Sequence, residues 1–131
     1  MIVLDASAAV DYLLDSGERG RWVRDRVTGA RAVHAPALID VEVVSALRRL
    51  RTGRDVSPSR AADALVDFLA LRIRRWPHTP LVPRLWELAD VLSPHDAAYV
   101  ALAEALDVPL VTADPALARP GHNAHVEVAP G

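Results

Sequence analysis

Residues 2–14 read IVLDASAAVDYLL. The opening run of three apolar residues ends at an acid, Asp5. A buried parallel strand has this form, because both faces are covered and no polar alternation is needed. Residues 7–14 then read as a helix that starts at once. An acid between a strand end and a helix start sits where open parallel sheets bind ligands. This stretch therefore argues for an α/β fold and raises the question of what Asp5 does.

Working outward, residues 18–27 read as a more polar helix and 32–35 as a second strand stopped by Pro36. Residues 37–50 form a strong helix, with Ile39, Val43, Ala46, Leu47 and Leu50 on one apolar stripe. Arginines crowd its end and Gly53 stops it. Ser57-Pro58 opens the next helix, with Ala62, Leu65, Val66 and Leu69 expected inward. A strand is expected at 71–74 and a helix over 83–92. Ser93-Pro94 starts a helix whose residues 96–106 are apolar on nearly all sides, as in a helix held between layers. Residues 110–112 read as a strand and 125–128 as an edge strand. Such alternation predicts a three-layer α/β/α sandwich with a central parallel sheet. Residues 1–131 read as a single domain, with no internal repeat or linker.

Composition narrows the function. Half the chain is apolar (51%), enough for a core without staples. Cysteine is absent, which excludes disulfides, thiol catalysis and cysteine-held zinc. The net charge of -2 excludes a basic nucleic-acid wrapper. All 15 cationic residues are arginines, so mechanisms that need a lysine are excluded. No apolar run approaches the roughly 20 residues that span a bilayer. Asp5 interrupts the first apolar stretch and no basic residue precedes it, unlike a signal peptide. A cytoplasmic protein is expected.

Four acids fall at or near one rim of this sheet. Asp5 follows the first strand, and Asp114 follows the strand at 110–112. Asp96 lies at the start of the buried helix, and Glu42 lies one turn into its own helix, beside the apolar stripe. Singly, Asp5, Asp96 and Asp114 read equally well as parts of helix caps: Asp114-Pro115 is an ordinary cap, and Ser93 to Asp96 resembles a capping box. Glu42 lacks an evident cation close in sequence. Jointly, the acids repel. At ~4 Å and an effective dielectric of ~20, a like-charged pair costs about 4 kcal/mol. Several such pairs rival a domain's stability of roughly 5–15 kcal/mol. Protonation or a bound cation must relieve this, and carboxylate oxygens suit Mg²⁺ or Mn²⁺.

In this order and setting the residues resemble the PIN-domain ribonucleases, and within them the VapC toxins of bacterial VapBC toxin–antitoxin pairs. The anchors are IVLDASAAVDYLL, DVEVVSALRRL, SPHDAAYVALAEAL and PLVTADPAL, which span nearly the full length. The resemblance implies a PIN-like fold and a Mg²⁺ site made by Asp5, Glu42, Asp96 and Asp114, with Mn²⁺ able to substitute. Asp114 is the more variable position in that pattern. The resemblance also implies that the hydroxyls of Ser7 and Thr112 orient the ligands. His95 departs from it, since relatives often carry an aromatic residue there.

The implied activity is Mg²⁺-dependent endoribonuclease cleavage by in-line attack of water, leaving a 5′ phosphate and a 3′ hydroxyl. The five histidines are scattered and offer no acid–base pair. Arg48, Arg49, Arg51 and Arg54, and also Arg72, Arg74 and Arg75, are candidates for RNA phosphates, or else solvated surface. Trp76 and Trp86 are candidates for base stacking, or else for core or dimer packing. The implied partners are a cognate VapB antitoxin, an RNA substrate and a second copy of the chain, with no membrane. The antitoxin's groove is expected along residues 8–14, 22–27 and the helix from 37, with Leu13 and Val27 in contact. A non-toxin PIN nuclease in RNA processing and a non-catalytic binding module are the alternatives. Receivers and haloacid-dehalogenase phosphatases need a lysine, and no P-loop or GxGxxG turn occurs.

Overall fold

Among the described residues, 1–15 and 17–131 of the computed structural model, five strands form one parallel sheet. They are β1 (Ile2–Leu4), β2 (Val33–Pro36), β3 (Ile73–Trp76), β4 (Leu110–Thr112) and β5 (Val126–Val128), in the order β3-β2-β1-β4-β5. The chain leaves β1 toward β2 and β3, then returns across the sheet to β4 and β5. The crevice between the ends of β1 and β4 is therefore the topological switch point.

Among the described residues six α-helices cover the sheet: α1 (Ala6–Leu14), α2 (Glu18–Gly29), α3 (Ile39–Thr52), α4 (Pro58–Ala70), α5 (Val82–Glu87) and α6 (Pro94–Leu106). α1 packs on α2, α3 and α4; α6 packs on α5 and on β1, β2 and β4. This is the expected three-layer sandwich. All of β1 is buried, and so is every residue of α6 from 97 to 103. No helix among the described residues is long and apolar enough to cross a membrane.

Local sequence explains the helix starts. Asp5 caps α1, its Oδ1 accepting from Ala8 N at 2.9 Å. Ser57 and Ser93 cap α4 and α6, each followed by proline at the first helical position. Asp114 caps a 3-10 turn at Pro115–Ala118. Because helices run antiparallel to the strands, the starts of α1, α3 and α6 all face the strands' carboxyl ends.

Four expectations need correction. The α4 residues expected inward, Ala62, Leu65, Val66 and Leu69, are exposed; Ala61, Ala64 and Phe68 are buried instead. Both stripes have helical spacing, and the one with the larger Phe68 ring takes the core. The third strand is Ile73–Trp76, not 71–74, because Ile73 pairs with Val33 and Trp76 with Pro36. Pro36 thus closes β2 from inside the strand; Ala37, not Pro36, supplies the N–H to Trp76 O. The helix expected over 83–92 stops at Glu87, and turns carry both Leu88 and Leu92 into the core.

Candidate active site

Asp5, Glu42, Asp96 and Asp114 line one cleft of about 780 Å³ at the carboxyl edge of the sheet. Ser7, His95 and Tyr99 line it with them. Four separate elements bring these acids together: the end of β1, the first turn of α3, the start of α6 and the turn after β4.

Asp5 is the most fixed of the four. Its Oδ1 accepts from Ser7 Oγ at 2.7 Å and from Ala8 N, and its Oδ2 accepts from Thr112 Oγ1 at 2.5 Å. The two hydroxyls are anchored in turn: Ala113 N donates to Ser7 Oγ at 3.1 Å and Asp114 N to Thr112 Oγ1 at 2.9 Å. The ends of β1 and β4 are thereby stitched through the acid itself. Asp114 Oδ1 accepts from Ala116 N at 2.9 Å, so this residue both caps its turn and faces the cleft.

Electrostatics follow from burial. Desolvation pushes the Asp5 carboxyl up to about 6; the hydrogen bonds from Thr112, Ala8 and Ser7 oppose this, and the charge of Asp96 adds to it. Asp96 is raised too, by burial first and by the charge of Asp114 second. Glu42 finds the partner it lacked in sequence: Tyr99 Oη donates to Glu42 Oε1 at 2.5 Å. The phenol's own pKa is raised, by burial and by this bond.

The donors around the cleft are carboxylate oxygens, the ligand type of a hard divalent cation. Among the described residues, no three His, Asp or Glu side chains stand close enough together to hold an ion as they are. Like charges in one cleft favour that spread.

The PIN domain family model matches residues 2–123. Ribonuclease VapC12 of Mycobacterium tuberculosis is 46% identical over 98% of each chain. The chain belongs to the PIN domain family, among its VapC ribonucleases. VapC ribonuclease Mb0985 of Mycobacterium bovis is 42% identical over 87% of this chain and 86% of its own length. Two solved structures share the fold. Mycobacterium tuberculosis VapC20, described as a sarcin–ricin loop cleaving toxin, superposes with a TM-score of 0.70 at 17% identity, covering 99% of this chain and all of its own. VapBC2 of Rickettsia felis, bound to a DNA fragment from its promoter, has a TM-score of 0.72 at 14% identity, over 97% and 98%.

The arginines of this PIN domain distribute unevenly. Of the four in 48–54, only Arg49 lines the acidic cleft; Arg48 and Arg51 line a separate groove between α3 and α4, and Arg54 is exposed. Arg74 stacks on Trp76, and Arg75 pairs with Asp40 at 2.8 Å. Trp76 packs partly against the core and donates to His34 Nδ1, whereas Trp86 is 82% exposed. Leu13 and Val27 pack against the core, and the cleft wall is built by Val10, Leu14, Val41, Ala46 and Leu50 instead.

Two cleft residues escaped the sequence. Tyr99 stands one turn after Asp96 in an apolar helix, and a buried phenol needs an acceptor; that was the available signal. Arg19 grips Asp11 through two nitrogens and lines the cleft with it. Eight residues separate that pair across a change of helix, so no local spacing announces it.

Proposed function

We propose that this chain is a VapC-type toxin, a Mg²⁺-dependent endoribonuclease that hydrolyses RNA phosphodiester bonds in the cytoplasm. One observation carries the reading: acids from four separate elements line a single cleft at the sheet's switch point. The named relatives support the same class of activity.

In this reading residues 1–131 act as one domain. Asp5, Glu42, Asp96 and Asp114 would hold the ion, with Asp114 as a supporting ligand. Ser7 and Thr112 lock Asp5 in one orientation, which spares reorganisation on binding. Mg²⁺ (or Mn²⁺) supplies Lewis acidity, making the attacking water more acidic and offsetting charge on the phosphodiester. Arg49 and Arg19, which share the cleft with the acids, contact flanking phosphates. In-line attack leaves a 5′ phosphate and a 3′ hydroxyl.

Two protein partners belong to the proposal. A VapB-type antitoxin lies along the apolar wall of Val10, Leu14 and Leu50 that continues from the acids. A second copy docks on the outer face of α3 and α4, where Val44, Leu65, Val66 and Leu69 are exposed. A homodimer has this form when the same patch meets itself about a two-fold axis.

Alanine substitution of Asp5, Glu42 or Asp96 tests the core reading. Each variant is expected to keep its circular dichroism spectrum and lose Mg²⁺-dependent cleavage of RNA, whereas Asp114→Asn loses only part. Full cleavage by any of the three alanine variants would overturn the assignment.

A further inference from the structure

Tyr99 is buried, at 2% exposure, yet its hydroxyl reaches the cleft. It donates to Glu42 Oε1 at 2.5 Å across 57 residues of sequence. The ring is part of the core cluster, so its position is set by packing rather than by Glu42. Glu42 itself is half-buried in the first turn of α3, and its Oε2 has no hydrogen bond among the described residues.

These contacts have a direction of cause. A glutamate has three rotatable side-chain torsions and, left alone, samples many rotamers. A fixed donor on one oxygen selects the rotamers that keep that bond and leaves the other oxygen for a ligand. Tyr99 sits three residues after Asp96 on α6. Its hydroxyl therefore connects α6, which carries Asp96, to α3, which carries Glu42.

We infer that Tyr99 is the positioning residue for Glu42, holding that carboxylate in the orientation that accepts a divalent cation. Tyr99 acts through Glu42 and touches neither ion nor RNA. This rests on the proposed metal site, and the experiment separates the two.

Mn²⁺ binding to the metal-free protein is measured by the loss of the free-ion electron paramagnetic resonance signal, in wild type, Tyr99→Phe, Glu42→Ala and the double variant. Phenylalanine keeps the ring and removes only the hydroxyl. The expected result is about tenfold weaker Mn²⁺ binding in Tyr99→Phe, within the range for removing a hydrogen bond behind a metal ligand. The double variant is expected to bind no more weakly than Glu42→Ala alone, since the hydroxyl has nothing left to orient. Thermal melts in EDTA show whether Tyr99→Phe remains folded; if it does not, Tyr99→Leu serves as a smaller apolar side chain with no donor. Wild-type affinity in a folded Tyr99 variant, with Glu42→Ala weakened, overturns the positioning role alone. Additive losses in the double variant overturn it as well. Unchanged binding by Glu42→Ala overturns the metal role of Glu42, and the inference falls with it.

Discussion

Thr112 Oγ1 donates a 2.5 Å hydrogen bond to Asp5 Oδ2 and accepts one from the Asp114 backbone N–H at 2.9 Å. A buried hydroxyl at the end of β4 thus fixes one acid with its proton and the backbone of another with its lone pair. Both contacts need the β1 and β4 ends to be neighbours, which their parallel pairing supplies.

Thr112→Val keeps the shape of this side chain and removes the donor. The bond from Thr112 is the largest influence pulling the Asp5 carboxyl down against burial. Its loss is expected to raise that pKa above about 6, read from the carboxyl carbon shift of Asp5 across a pH titration. A titration curve that superposes on wild type would show that the bond carries no weight.

Asp5 also makes the metal-free protein sensitive to pH. Its carboxyl titrates near 3.8 in the reference state and at about 6 in the fold. A raised acid stabilises the fold fully below 3.8, where both states are protonated, and that support is lost as pH rises through about 6. The rise from 3.8 to about 6 corresponds to about 3 kcal/mol. In EDTA, the melting temperature of Asp5→Asn relative to wild type is therefore expected to climb between pH 4 and pH 7. Parallel melting profiles over that range would refute the linkage.

Arg49 and Arg19 are expected to contact RNA phosphates, in contrast to Arg48 and Arg51, which line the other groove. Each lost phosphate contact lowers the slope of log affinity against log salt by about 0.7 for a single strand. Binding is measured in an Asp96→Asn background that cannot cleave. Arg49→Gln should reduce the slope, and so should Asp11→Asn/Arg19→Gln. The latter pair avoids leaving the buried Asp11 without its cation. Arg48→Gln is expected to keep the wild-type slope; a drop there equal to that of Arg49→Gln would relocate the RNA path.

The two apolar surfaces are separable by charge insertion. Val66 and Leu69 are 66% and 70% exposed, so Val66→Asp/Leu69→Asp is expected to leave the fold intact and yield a monomer by sedimentation. Val10→Asp, in the cleft wall, is expected to weaken capture of the antitoxin and spare the dimer. A stable dimer in the first variant, or unchanged antitoxin affinity in the second, would reassign that surface.

The sequence by itself determined the order of the elements and the rim on which the acids stand. Strand ends, prolines at first helical positions and short caps act within about four residues, so Asp5, Asp96 and Asp114 were legible as helix-start acids. Tertiary structure decided the rest. Which stripe of α4 is buried depended on whether Phe68 or Leu69 met the core. The frame of β3 depended on its pairing with β2. The partner of Glu42 lies 57 residues away, and the partner of Asp5 Oδ2 lies 107 away. Such bonds have no local signature, because they form only after the sheet has brought distant segments within 3 Å or so. The raised pKa of Asp5 is likewise a property of burial, which no spacing of residues encodes.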